Sequence, residues 1–89
     1  MKISEEKKER ISEQILTFLF QENSRPVFTS HVAREIARDE DFTKNLLKVL
    51  AKKGLTIEMK KNKEGNFYLR RSRWLLSPLA YEAYKKHQN

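Results

Sequence analysis

Two short apolar periodicities separated by a run of acids, VAREIARDEDFTKNLLKVLAKKGL from Val32 to Leu55, restrict this chain more than any other stretch. Val32, Ala33, Ile36 and Ala37 fall at i, i+1, i+4 and i+5, one stripe of a helix that Thr29 is placed to cap. Asp39, Glu40 and Asp41 then offer a fresh cap and an acidic first turn, so that helix stops near Arg38 and another begins. The second helix carries Phe42, Leu46, Leu47, Val49 and Leu50 on its apolar side and ends at Gly54. Its opposite stripe is Asp41, Lys44, Asn45, Lys48 and Lys52, polar and mainly basic. The result is two short helices joined by a tight turn, with the remaining chain arranged around them.

Upstream, Ser4 with Glu5 and Glu6 opens a helix whose apolar face, Ile11, Ile15, Phe18 and Leu19, occupies only its second half. The charged first turns, SEEKKER, either fray or lie against a partner subunit. Asn23 to Pro26 ends that helix, because the residue before proline is pushed out of the helical region, and Val27 and Phe28 supply a very short strand. Beyond Gly54 the period becomes two. Leu55, Ile57 and Met59 alternate with polar residues, as do Phe67, Leu69 and Arg71, around an NKEGN loop whose glycine suits positive φ. These runs predict a two-stranded hairpin bearing Lys60, Lys61, Lys63, Arg70, Arg71 and Arg73. A hairpin alone is barely stable in water, so its apolar face must rest on the helices. Ser77-Pro78 starts a closing helix with Leu79, Ala80, Ala83 and Tyr84 on one side.

Charge separates along the chain. Residues 1 to 40 hold seven Lys/Arg and eight Asp/Glu, and residues 41 to 89 hold twelve and four, so the net +7 lies almost wholly in the second half. That is the footprint of a polyanion binder, or of a solvated lysine-rich surface. With 89 residues, 38% of them apolar, the chain supports one domain over residues 1–89 with a thin core. The absence of cysteine excludes disulfides and thiolate metal sites, and His31 and His87 have no companion in ligand spacing, so no metal or cofactor is expected. MKISEEKKER has no signal-peptide core and no apolar run reaches the ~18 residues of a membrane span, which predicts a cytoplasmic protein, nucleoid-associated if it binds DNA.

The order helix, strand, helix, helix, hairpin, helix resembles the winged helix-turn-helix superfamily over almost the whole chain. The residues that carry the resemblance are Val32, Ala33, Arg34, Glu35 and Ile36, Ala37 at the turn, Leu47-x-x-Leu50, Lys53-Gly54-Leu55 leading into the wing, and the tail WLLSPLAYEAY. That tail looks like the strand end and final helix of small prokaryotic and archaeal regulators. The implied fold is α+β, mainly α: a three-helix core, a two-stranded β-hairpin wing and an additional C-terminal helix.

In the fold it resembles, the third helix enters the major groove and the wing follows the backbone. The resemblance therefore implies a double-stranded DNA-binding transcription regulator and not an enzyme. Lys44, Asn45 and Lys48 would face base edges. Thr29, Ser30, Lys52, Lys60, Lys61, Lys63, Arg70, Arg71 and Arg73 would face phosphates, and the terminal helices, through Leu79, Ala83 and Tyr84, would pair a homodimer. A winged-helix protein-interaction module and an RNA-binding component of a ribonucleoprotein fit the same residues.

Several positions point in more than one direction. Asp39, Glu40 and Asp41 stand at the end of the helix that would approach DNA, where carboxylates repel phosphates but can accept from cytosine N4; capping and dipole complement explain them more economically. Ala37 stands where glycine is common, and Thr43 where an apolar residue is common. Trp74 fits the core or the hairpin anchor better than a base platform. His31 with Ser30 and an aspartate gives the letters of a triad, without any signature of an activated nucleophile.

Overall fold

The first helix, α1 (Glu5–Gln21), begins where Ser4 Oγ accepts from the Lys7 N–H at 3.2 Å, with Glu5 and Glu6 against the positive end of the helix dipole. In this computed structural model, which describes residues 4–23, 25–60 and 71–87, its first two turns are largely exposed. Ile11, Ile15, Leu16 and Leu19 are buried behind them, so only the second half docks, as the periodicity required. Leu16 joins that face and Phe18 is half-buried at its margin. Glu22 and a left-handed Asn23 (φ 57°) close the helix.

Pro26 leads into β1 (Val27–Phe28), and α2 (Thr29–Ile36) follows directly. Its N-cap is Phe28, without a side-chain bond, not Thr29 as the sequence suggested. Thr29 is buried instead: its Oγ1 accepts from the Trp74 indole N–H at 2.7 Å. A buried indole N–H needs an acceptor, and this residue supplies it. Helix α2 stops at Ala37, which sits in the left-handed region (φ 57°, ψ 46°) and reverses the chain in the manner usually left to glycine.

Asp39 caps α3 (Glu40–Lys52), its Oδ1 accepting from the Phe42 N–H at 2.7 Å. Thr43, Leu46, Leu47 and Leu50 form the buried side. Thr43 fits there because its hydroxyl donates to the Asp39 carbonyl at 2.7 Å, leaving only its methyl to pack. Val49, expected on that side, is 46% exposed, on a flank where the polar first turns of α1 leave it open. Gly54 (φ +79°) then turns the chain, and the Leu55 N–H returns to the Leu50 carbonyl at 2.9 Å.

Among the described residues the sheet has three strands, because the short strand expected at Val27 and Phe28 joins the two of the expected hairpin. Strands β2 (Thr56–Met59) and β3 (Arg73–Leu76) pair antiparallel, and β3 also pairs with β1, in the order β1-β3-β2. Arg71 and Ser72 precede β3, and Phe67 to Arg70 lie outside the described residues. Within β3 the fully buried Trp74 and Leu76 alternate onto the helices. Thr56 Oγ1 donates to the Leu47 carbonyl at 3.0 Å, tying β2 to α3.

Ser77 starts α4 (Pro78–His87), accepting from the Ala80 N–H at 3.1 Å and donating to the Gly54 carbonyl at 2.7 Å. The expected apolar side of α4 divides. Ala80 is buried, and Tyr84 packs inward on the Phe20 ring at 5.7 Å, as does Tyr81 at 5.2 Å. Leu79, 77% exposed, and Ala83 face solvent. Among the described residues no helix is long and apolar enough to cross a membrane.

Candidate nucleic-acid interface

Burial of Thr43, Leu46, Leu47 and Leu50 fixes which way α3 faces. Spaced by three and four residues, they turn Asp41, Lys44, Lys48 and Lys52 to the opposite side, where Lys48 and Lys52 are exposed along the ridge and Lys44 is half-buried at its edge. The αL turn at Ala37 and the Asp39 cap bring the starts of α2 and α3 together, and the residues leading into β3 close a cleft between them. Ser30, Glu40, Asp41, Lys44 and Arg71 line that cleft above Phe28.

The predicted base-reading residues are not all on one side. Lys44 faces the cleft, whereas Asn45 lies on the other flank of α3 with Phe42, Val49 and Lys53, beside Glu5, Lys8 and Glu9 of α1. Lys48 lies between them. Of the residues expected at phosphates, Ser30 and Arg71 share the cleft and Lys52 extends the ridge. Lys60 stands at the end of β2 with its Nζ 4.0 Å from Glu58 Oε2. Lys61, Lys63 and Arg70 lie outside the described residues, as do Tyr68 and the loop glycine Gly65. Thr29 lines the floor of the cleft, its buried hydroxyl oxygen accepting from Trp74.

Phe28 is the residue that sequence reasoning missed. The Arg71 and Arg73 guanidiniums lie 5.4 and 5.1 Å from its ring centre, a cation–π arrangement that limits where both cations can point. The signal was hidden in the register: Phe28 faces Arg73 across the β1–β3 ladder, a pairing visible only once the third strand is known. His31 stacks edge-on against Phe18 at 5.2 Å and its Nε2 lies 3.9 Å from Glu35, so its neighbours are not those of a triad with Ser30.

At the terminal helices the Tyr84 hydroxyl donates to Glu13 Oε2 at 3.1 Å. Burial, then the nearby Glu13 charge, hold this phenol above its ordinary value of 10.0. Tyr84 thus joins α4 to α1 within one chain, leaving Leu79 and Ala83 as the outward-facing members of the expected pairing set.

No protein-family model matches the chain, and no curated protein is significantly similar to it in sequence. Solved structures are similar to it in shape. A mutant of MepR from S. aureus bound to an oligodeoxyribonucleotide superposes with a TM-score of 0.67 at 18% identity, over 88% of this chain and 56% of that one. ZitR from Lactococcus lactis, described as a zinc-responsive MarR family member, gives 0.65 at 18% over 99% and 53%. NadR in complex with 4-hydroxyphenylacetate gives 0.65 at 17% over 94% and 52%. The chain thus spans about half the length of the structures it matches. With its three-helix core, its β2–β3 wing strands and its closing helix superposed on these proteins, the chain has the winged helix-turn-helix fold.

Proposed function

We propose that this chain binds double-stranded DNA as a transcription regulator, with α3 in the major groove. The observation that carries the reading is the α3 ridge itself: Lys44, Lys48 and Lys52 face outward on a helix whose other side is sealed into the core, and the cleft at its start adds Ser30 and Arg71. The likeness to MepR bound to an oligodeoxyribonucleotide supports it. Lys44 and Lys48 meet base edges, with Asn45 at the far flank of the same helix. Ser30, Lys52, Lys60, Arg71 and Arg73, together with Lys61, Lys63 and Arg70, meet phosphates, fixing register without reading sequence. Two copies pair through α1 and α4, with Leu79 and Ala83 outward, and present their α3 helices to half-sites about 34 Å apart. Such a protein works in the cytoplasm, at the nucleoid.

Competitive binding to duplex DNA, duplex RNA and single strands tests this. The unaltered chain prefers duplex DNA. The variant Lys60→Ala/Lys61→Ala/Lys63→Ala weakens binding to all duplexes alike, whereas Lys44→Ala/Asn45→Ala reduces discrimination between sequences. Tightest binding to duplex RNA would replace the reading with a ribonucleoprotein role, and no nucleic-acid binding at low salt would replace it with a protein-interaction module.

A further inference from the structure

The cleft at the start of α3 mixes donors with carboxylates. Lys44 and Arg71 offer donors, but Glu40 and Asp41 sit in the same concavity, and of the two Asp41 shares the helix face of Lys44, Lys48 and Lys52; a carboxylate beside a phosphate is repelled. Asp39, not Asp41, supplies the cap acceptor to the Phe42 N–H, so in the free chain Asp41 serves α3 only as a first-turn charge against the helix dipole. The Asp41 side chain is exposed and makes no hydrogen bond or ion pair with the described residues. It stands three positions before Lys44, a spacing that brings two side chains on a helix to within about 5–6 Å at Cβ.

An acceptor and a donor held side by side complement the major-groove edge of a G·C pair, where the cytosine N4 amino group adjoins guanine O6 and N7. We propose that Asp41 and Lys44 together read one G·C base pair, Asp41 accepting from cytosine N4 and Lys44 donating to guanine O6 and N7. Arg71, set against Phe28, takes the adjacent phosphate and holds the cleft over that pair. This rests on the duplex-DNA reading above, and it makes Asp41 a specificity residue rather than a charge that binding must overcome.

The test uses the full chain. A preferred duplex is selected from a randomised pool, each of its base pairs is then substituted in turn, and affinities are measured for the unaltered chain and for Asp41→Ala, Asp41→Asn and Lys52→Ala, with thermal unfolding to confirm that each folds. The unaltered chain favours G·C at one position by roughly 5- to 150-fold. Asp41→Ala loses that preference at the same base pair and no other, whereas Asp41→Asn, which keeps an acceptor oxygen at the same place, retains part of it. Lys52→Ala weakens every duplex by one factor. The proposal is overturned if Asp41→Ala keeps the G·C preference or tightens all duplexes equally, which would mark the carboxylate as merely repulsive, or if the unaltered chain binds duplexes without a G·C preference. No duplex binding by the unaltered chain at low salt would instead remove the DNA reading beneath it.

Discussion

Replacing Ala37 by glycine should stabilise the protein, although it removes a side chain. Ala37 holds φ 57° and ψ 46° at the end of α2, where its N–H reaches the Arg34 carbonyl at 3.2 Å and the Arg38 N–H reaches the Ala33 carbonyl at 3.0 Å. An L-residue in that left-handed region costs roughly 1–2 kcal/mol that glycine avoids, and glycine returns about 0.5–1 kcal/mol through the greater entropy of its unfolded chain. The methyl is exposed, so little packing is lost. The balance is a gain of about 0.5–1 kcal/mol, or roughly 2–8 °C in Tm for a domain of this size. Gly54 supplies the mirror experiment. It has φ +79°, and a Cβ built there meets no atom within 4 Å, so Gly54→Ala carries torsional cost without a clash. Thermal unfolding of both variants by circular dichroism should give shifts of opposite sign. A lower Tm for Ala37→Gly would refute the reasoning, because the turn between α2 and α3 would then not hold the left-handed residue on which the cleft geometry depends.

Three further substitutions probe the joints between elements. Thr29→Val leaves the buried Trp74 N–H without its acceptor and should cost about 1–3 kcal/mol in denaturant unfolding, whereas Thr29→Ser should stay near the original stability. Ser77→Ala removes both the α4 cap and the donor to the Gly54 carbonyl, a loss of about 1–3 kcal/mol; Ser77→Asp restores the acceptor alone and recovers part of it. Because the Tyr84 phenol lies above 10.0 in the folded chain, the unfolded chain ionises first as pH rises. The stability due to this group is complete below pH 10 and declines as pH rises through the folded value. Tyr84→Phe should flatten that alkaline decline when unfolding is followed from pH 9 to 11.

The order of elements was legible because it rests on local chemistry. Ser4, Asp39 and Ser77 cap the helices they were expected to cap, and Gly54 turns the chain where α3 ends. Long-range pairing was what the residues could not announce. Thr29 resembles a cap by its position, and only the approach of Trp74 from 45 residues away gives its hydroxyl another partner. The third strand pairing escaped notice because Val27 and Phe28 are too short to show an alternation. With it went the placement of Phe28 under two arginines. On α3, periodicity separated polar from apolar, but the flank that stays uncovered depends on what packs beside it, so Val49 emerged and Thr43 went in. The same limit hid the separation of Lys44 from Asn45, adjacent in sequence and on opposite flanks of one helix.

The claim that the α3 ridge binds duplex DNA is tested most directly by the salt dependence of affinity. If about five phosphates are neutralised, log K for a duplex should fall with log salt at a slope of roughly −4 to −5, and Lys52→Ala should make it shallower by about 1. A slope near zero, or one that Lys52→Ala leaves unchanged, would contradict the account by showing that the basic ridge and the phosphate backbone do not meet.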